Sequence, residues 1–379
     1  MNAGVRLITA MGVLAAALML LPAPAGTAAG ICEDGVQESG ALYRICLPDS
    51  NWNGDLILYA HGYVDPQSPL AIPDDHLPDG TSISEVINAL GYAYATSSYS
   101  KNGLAVRQGV EDMADLAGIF VETHGEPGRV LIGGASEGGI VTTLSVERRP
   151  DAYDGGLAAC GPIGSFQKQI NYIGDFRAVF DYFFPGVIPG SPIDVPQEVI
   201  DNWDAVYVPA IEAAIAARPH ATEQLLTVTG APIDPANPAT IAETVVGVLW
   251  YATHATNDAS ETLGGQPFDN SHRWYAGSDY DLLLNLRVQR IAADPAARTE
   301  VAAHYESSGV LASPLVTLHT TGDQIVPYWH EPRYRLKTLV NNPLQHGNIR
   351  VERYGHCNFT AGEVLQGLAR LLLMLGPGE

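Results

Sequence analysis

Three residues far apart in the chain have the types that nucleophilic acyl chemistry requires. Gly134-Ala135-Ser136-Glu137-Gly138 fits the pattern G-x-S-x-G, Asp323 lies in Thr321-Gly322-Asp323-Gln324-Ile325-Val326-Pro327, and His356 lies in Tyr354-Gly355-His356-Cys357. A serine hydroxyl is a weak nucleophile until an imidazole takes its proton, and the imidazole needs a carboxylate to hold its tautomer and orientation. The pentapeptide alone discriminates little: with glycine near a tenth of the residues, roughly one such chain in five would contain it by chance. Its context decides. It follows a short apolar run, Val130-Leu131-Ile132, and precedes a helical pattern, as a sharp strand-to-helix turn that lifts the serine off a sheet would. Glycines suit such a turn because a Cβ would strike neighbouring backbone, and the helix N-terminus behind it favours developing negative charge.

The elements that must position these residues read as alternating strands and helices. After a short N-terminal hairpin over Ala41–Leu47, strands are predicted at 56–60, 92–97, 129–133, 156–160, 315–319 and 348–353. Between them, Ser82 and Glu85 form a capping-box pair that opens a helix closed by Gly91. Val106, Val110, Met113, Ala117 and Phe120 make one apolar helical face, with Gly109 and Gly118 as internal weak points. Further helices are predicted over 140–148, 329–339 and 361–375. Such alternation implies a mostly parallel sheet covered by helices on both faces. Asp323 then directly follows one late strand and His356 the last. Of eleven histidines, His346 falls before the last strand and His330 at a helix start, which leaves His356 best placed. His61-Gly62-Tyr63 follows the strand at 56–60. The N–H groups of Tyr63 and Glu137 are therefore the expected oxyanion donors, with the His61 side chain packed in its loop and the Glu137 carboxylate favourable in the first helical turn.

The alternation pauses over 163–305, a helical stretch rich in Phe, Tyr and Trp. Asp194 with Gln197, and Thr240 with Glu243, predict helix starts there, and Pro209 should kink or split one helix. Most of its aromatics should form a core of their own, a few lining an apolar pocket.

Composition narrows the remaining possibilities. Hydrophobic residues at 46% against 16% charged exclude disorder and imply a large core. A net charge of −22 argues against nucleic acid or anionic membrane as a partner and disfavours polyanionic substrates. Arg6, the apolar run Leu7–Leu21 and the small residues at 23–29 read as a secretory leader over 1–29, shorter than a membrane span. No later segment is long and apolar enough to span, so the processed chain is expected to be soluble and secreted or periplasmic. Four cysteines suit an oxidising compartment. They allow three pairings; Cys32 and Cys46 are close enough to staple the hairpin, which leaves Cys160 with Cys357. No spacing suggests a metal site.

With these motifs in place, the chain resembles the α/β-hydrolase fold family through His61-Gly62, Gly134–Gly138, Gly322-Asp323 with Val326-Pro327, and Gly355-His356. The resemblance covers most of 50–160 and 310–375. It implies an eight-stranded core in two parts, 30–162 and 306–379, a helical cap at 163–305, a Ser136–His356–Asp323 triad and no cofactor. The His356-Cys357 pair is similar to tannases and feruloyl esterases, which carry a cysteine immediately before the serine; here that place holds Ala135, and Cys160 would supply a substitute bridge. The expected activity is hydrolysis of a small or polymeric carboxylic ester. A serine peptidase with the same triad and a non-catalytic binding protein on the same scaffold are the alternatives.

Overall fold

Short runs of apolar residues buried on both faces build the centre of a sheet, and the computed structural model shows it over residues 30–377. The leader expected over 1–29 lies outside the described residues. The strands are β1 (Ile31–Val36), β2 (Leu42–Leu47), β3 (Leu56–Ala60), β4 (Ala93–Ser97), β5 (Val130–Ala135), β6 (Gly155–Ala159), β7 (Leu315–Gly322) and β8 (His346–Tyr354). They form one sheet in the order β1-β2-β4-β3-β5-β6-β7-β8. From β4 to β8 every neighbouring pair is parallel, and β1 and β2 join antiparallel at one edge. The hairpin expected over Ala41–Leu47 is thus only the second strand of a pair that begins at Ile31. His346, expected before the last strand, is its first residue and hydrogen-bonds Thr317 and Thr338.

The twofold period of a strand explains the layering. Leu56 and Leu58 of β3 face one side, where they meet α2 (Val106–His124) and α3 (Glu137–Arg148), which follow α1 (Ile83–Ala89) in the chain. Ile57 faces the other side, with Ile87 of α1 and Leu371 of the C-terminal helix Ala361–Leu375. The predicted face of α2 is the buried one: Val106, Val110, Met113, Ala117 and Phe120 all lie in the core. Gly109 is tolerated inside this helix because α2 and α3 approach closely; a Cβ there would lie 2.9 Å from Val141 Cγ2. Burying one such side chain contributes about 1.5–3 kcal/mol, so this face alone anchors the helix.

Between β6 and β7 the chain runs through α4 (Phe166–Phe183), α5 (Gln197–Asp201), a π-helical turn (Trp203–Tyr207), α6 (Val208–Ala217), α7 (Pro219–Thr229), α8 (Ala239–His254), α9 (Thr256–Thr262), α10 (Asp281–Arg287) and α11 (Pro295–His304). These helices share a second core containing Phe176, Phe180, Trp203, Ile211, Leu225 and Leu249, closed from below by Ile325 and Val326 after β7. Pro209 sits in the first turn of α6, so the split falls before it, at the π-helical turn. The two capping boxes expected here do not form. Pro196 and Pro238 occupy the N-cap positions, and the Thr240 hydroxyl turns back to Asn237 O instead. After β7 come α12 (His330–Asn341) and α13 (Ala361–Leu375), the latter opened by a true capping box of Thr360 and Glu363. No helix among the described residues is long and apolar enough to cross a membrane.

Candidate active site

The parallel strands end on one edge of the sheet, and the three candidate residues stand there, directly after β5, β7 and β8. Ser136 has φ 58° and ψ −120°, a left-handed conformation that costs a non-glycine residue about 1–3 kcal/mol. Backbone bonds on both sides hold it: Ser136 N donates to Ala159 O and Gly139 N to Ser136 O, at 3.0 and 2.9 Å. The flanking glycines have a steric reason. A Cβ on Gly134 would lie 2.6 Å from Ala60 O, and one on Gly138 would overlap the same oxygen. Helix α3 starts at Glu137, three residues before the predicted position, so its N-terminus lies immediately behind the serine.

The structure brings the three residues into one hydrogen-bonded line. His356 Nε2 is 2.9 Å from Ser136 Oγ, and His356 Nδ1 is 2.8 Å from Asp323 Oδ2. Asp323 is fully buried. Its Oδ1 accepts the N–H groups of Ile325 and Val326 at 3.0 and 2.8 Å, so the turn that begins with Gly322 orients the carboxylate. Burial opposes its charge, but His356 and His319 beside it outweigh burial and lower the carboxyl to about 2. Cys357 is bonded to Cys160, at the end of β6. This bridge ties the histidine loop to the strand next to β5. The second bond, Cys32–Cys46, joins directly opposed residues of β1 and β2.

The N–H groups of Tyr63 and Glu137, the expected oxyanion donors, hydrogen-bond to nothing else among the described residues. Gly62 brings its backbone close to the nucleophile: a Cβ there would lie 3.3 Å from Ser136 Cβ. His61 is packed as expected, stacked on Tyr99 with ring centroids 3.9 Å apart. Burial pushes its imidazole below the usual histidine range.

The Glu137 side chain stands in the first turn of α3, as expected, and it is buried there. Burial pushes it up to about 8, against the hydrogen bond that Ala105 N donates to Oε1 at 2.7 Å, with Asp258 nearby pushing the same way. Burial thus favours its protonated form.

Ser136 and Glu137 open onto a cavity of about 140 Å³ between the sheet edge and the insertion, lined by Tyr63, Phe166, Ile170, Tyr251, Phe268 and Ile325 among others. An apolar cavity near 150 Å³ admits a benzene ring. Its walls are apolar apart from a few groups, including Glu137 and the Tyr63 hydroxyl, which has no partner among the described residues. In the insertion, Arg177 is buried against Asp181 and Arg273 pairs with Asp175. Neither lines the cavity. Asp74, Asp75 and His76 bring ligand atoms together away from this site, with Asp74 and His76 exposed.

One residue of this region carries no motif: His319, which stands fully buried behind Asp323. The available signal for His319 was a histidine ending the apolar strand Leu315-Val316-Thr317-Leu318. A buried strand can hold such a group only with polar partners.

No protein-family model matches the chain, and no curated protein matches it in sequence. Solved structures do resemble it. An acylaminoacyl peptidase of Pyrococcus horikoshii matches with TM-score 0.46 at 11% identity, over 95% of this chain and 42% of its own. An esterase of Pyrococcus furiosus matches with TM-score 0.46 at 12% identity, over 93% and 96% of the two chains. An esterase of Aspergillus oryzae matches with TM-score 0.45 at 14% identity, over 84% and 71%. The chain spans about two-fifths of the length of the peptidases it resembles. The strand order, the antiparallel pair at the first edge and the turn at Ser136 are those of the α/β-hydrolase fold.

Proposed function

We propose that this chain is an exported serine hydrolase that cleaves neutral carboxylic esters of short or aryl acyl groups. One observation carries the reading: the continuous line Asp323–His356–Ser136 opens into an apolar cavity. Ser136 Oγ attacks the ester carbonyl as His356 Nε2 takes its proton. The imidazolium that forms is held by Asp323, and the N–H groups of Tyr63 and Glu137 receive the oxyanion. His356 then returns the proton to the leaving alcohol, leaving an acyl-Ser136, and the same base activates water to release the acid. Helices 166–304 form the cap that excludes bulk water from this step. The two disulfides and the leader-like residues 1–29 support export.

Support for esters over peptides comes from the insertion. A peptidase that removes terminal residues needs a free charge at the cavity to hold a peptide terminus, but Asp175 is tied to Tyr275 and Arg273, Asp181 to Arg177, and Glu212 is exposed and does not line the cavity. The cavity suits an uncharged group of about the size of a phenyl ring. The test compares kcat/KM for p-nitrophenyl butyrate and benzoate, a succinyl ester and an aminoacyl p-nitroanilide, alongside labelling by a fluorophosphonate. Neutral esters should be turned over fastest, with the anionic ester at least tenfold slower. Faster turnover of the anilide would replace this reading with a peptidase, and absence of labelling would leave a binding protein.

A further inference from the structure

The line of polar groups does not end at Asp323. His319 Nε2 lies 3.4 Å from Asp323 Oδ2 and donates to Val326 O at 2.8 Å. Its Nδ1 lies 3.3 Å from Glu331 Oε1. The other oxygen of that carboxylate accepts Thr317 Oγ1–H at 2.7 Å and Asn348 Nδ2–H at 2.6 Å. His319, Asp323 and Glu331 are all buried, the first two completely.

These contacts constrain the protons. Val326 O can only accept, so His319 Nε2 carries hydrogen. Glu331 Oε2 already accepts two donors, so Oε1 is the oxygen that shares a proton with His319 Nδ1. Two carboxylates without a cation between them would each have to be buried at high cost. With an imidazolium between them, negative and positive charges alternate from Glu331 through His319 to Asp323. Burial opposes the charge on His319, but its hydrogen bonds to Asp323 and Glu331 prevail and raise it to about 10.

We infer that His319 is a permanently charged positioning residue, held as an imidazolium by Glu331, which keeps Asp323 ionised and limits how readily His356 takes up a proton in the resting site. The inference rests on the triad chemistry proposed above. A positive charge behind Asp323 offsets part of the attraction that Asp323 exerts on a protonated His356. The other groups facing His319 do not supply this charge. Tyr328 meets its ring edge-on at 5.8 Å. His330 accepts Gly164 N–H at Nδ1 and is held neutral by burial and by His319 itself. Arg350 stands over Tyr328, and His346 touches Thr317 rather than His319.

The test uses the opposite charges of the two partners. His319→Gln removes a cation, and Glu331→Gln removes an anion. If Glu331 acts by keeping His319 charged, both variants discharge the same site, and both should move the acid limb of kcat/KM upward by about one pH unit. Below that limb each would be about tenfold slower than wild type, with the plateau changed only a few-fold. Opposite displacements of the two variants would overturn the inference, because they would mean that each residue acts only through its own field. A lower plateau with an unmoved limb would reduce both residues to packing. The rate of fluorophosphonate labelling against pH gives the same limb without any ester, so failure of the ester reading does not mask the result. In the folded Ser136→Ala protein, ¹⁵N NMR of His319 should show both ring nitrogens protonated at pH 8, and a neutral tautomer there would refute the assignment even if His319→Gln does not fold.

Discussion

Glu137→Gln isolates the cost of burying an acid beside the nucleophile. In the folded protein burial pushes this carboxyl up to about 8, against an ordinary value of 4.5. Below pH 4.5 both folded and unfolded chains keep the proton, and the stabilisation of the protonated form is fully present. Between 4.5 and 8 the unfolded chain releases the proton while the folded chain retains it. Stability then falls with rising pH by about 1.4 kcal/mol per unit. Above 8 both forms are ionised and the fall ends. The whole window is worth about 5 kcal/mol. Glutamine keeps the shape and can still accept from Ala105 N–H, but it has no proton to lose. Urea unfolding of both proteins at intervals from pH 4 to 8.5 checks this, because every other group cancels in the difference between them. The variant should gain on wild type steadily across the window, by roughly 3–5 kcal/mol in all. In kinetics, wild type should also lose kcat/KM as pH rises through about 8, where a second negative charge appears beside the oxyanion, and the variant should not. Parallel stability curves would refute the reasoning and place a charged carboxylate in the fold.

Ser136→Ala should abolish phosphonate labelling and lower kcat by about 10⁴–10⁶ while circular dichroism stays unchanged; labelling of another serine would sink the nucleophile assignment. Replacing both Cys160 and Cys357 with serine opens a loop of 197 residues, and urea unfolding should register a loss of up to about 5 kcal/mol. Phe120→Ala, which empties a fully buried position on α2, should cost about 3–5 kcal/mol and leave KM unchanged; a changed KM would show that this core and the site communicate.

How much of this was legible in the sequence depended on how local the cause was. The turn at Ser136 is written in five consecutive residues, and the strands before Asp323 and His356 are short apolar runs with both faces covered. Their places in the chain could therefore be read directly. Strand β1 could not, because Ile31 and Val36 are exposed and the strand is held at the sheet edge by its ladder and by Cys32–Cys46 rather than by an apolar pattern. The helix starts in the insertion were misread because a proline at 196 or 238 competes with the polar cap two residues away. The settings of Glu137 and His319 could not be read for a different reason. The state of each is decided by partners distant in sequence: Ala105, 32 residues before Glu137, and Glu331, 12 after His319. A single residue type does not announce whether its charge survives burial.

The Cys160–Cys357 bond has a further consequence through the covalent graph of the molecule. It closes a ring that begins where β6 ends, runs through every helix from α4 to α12 and the whole of β7 and β8, and returns beside His356. Ser136 lies just outside the ring, and Asp323 and His356 lie within it. A protease that cuts an exposed loop of the insertion, such as the stretch around Tyr280, opens the ring but releases no fragment. The nucleophile, base and acid stay on one covalent object, with the base still tethered next to the nucleophile's strand. Such a cut would alter the roof of the site without dismantling its floor. The roof is thereby the part of this molecule that can be damaged, shortened or exchanged at the least risk to the machinery beneath it.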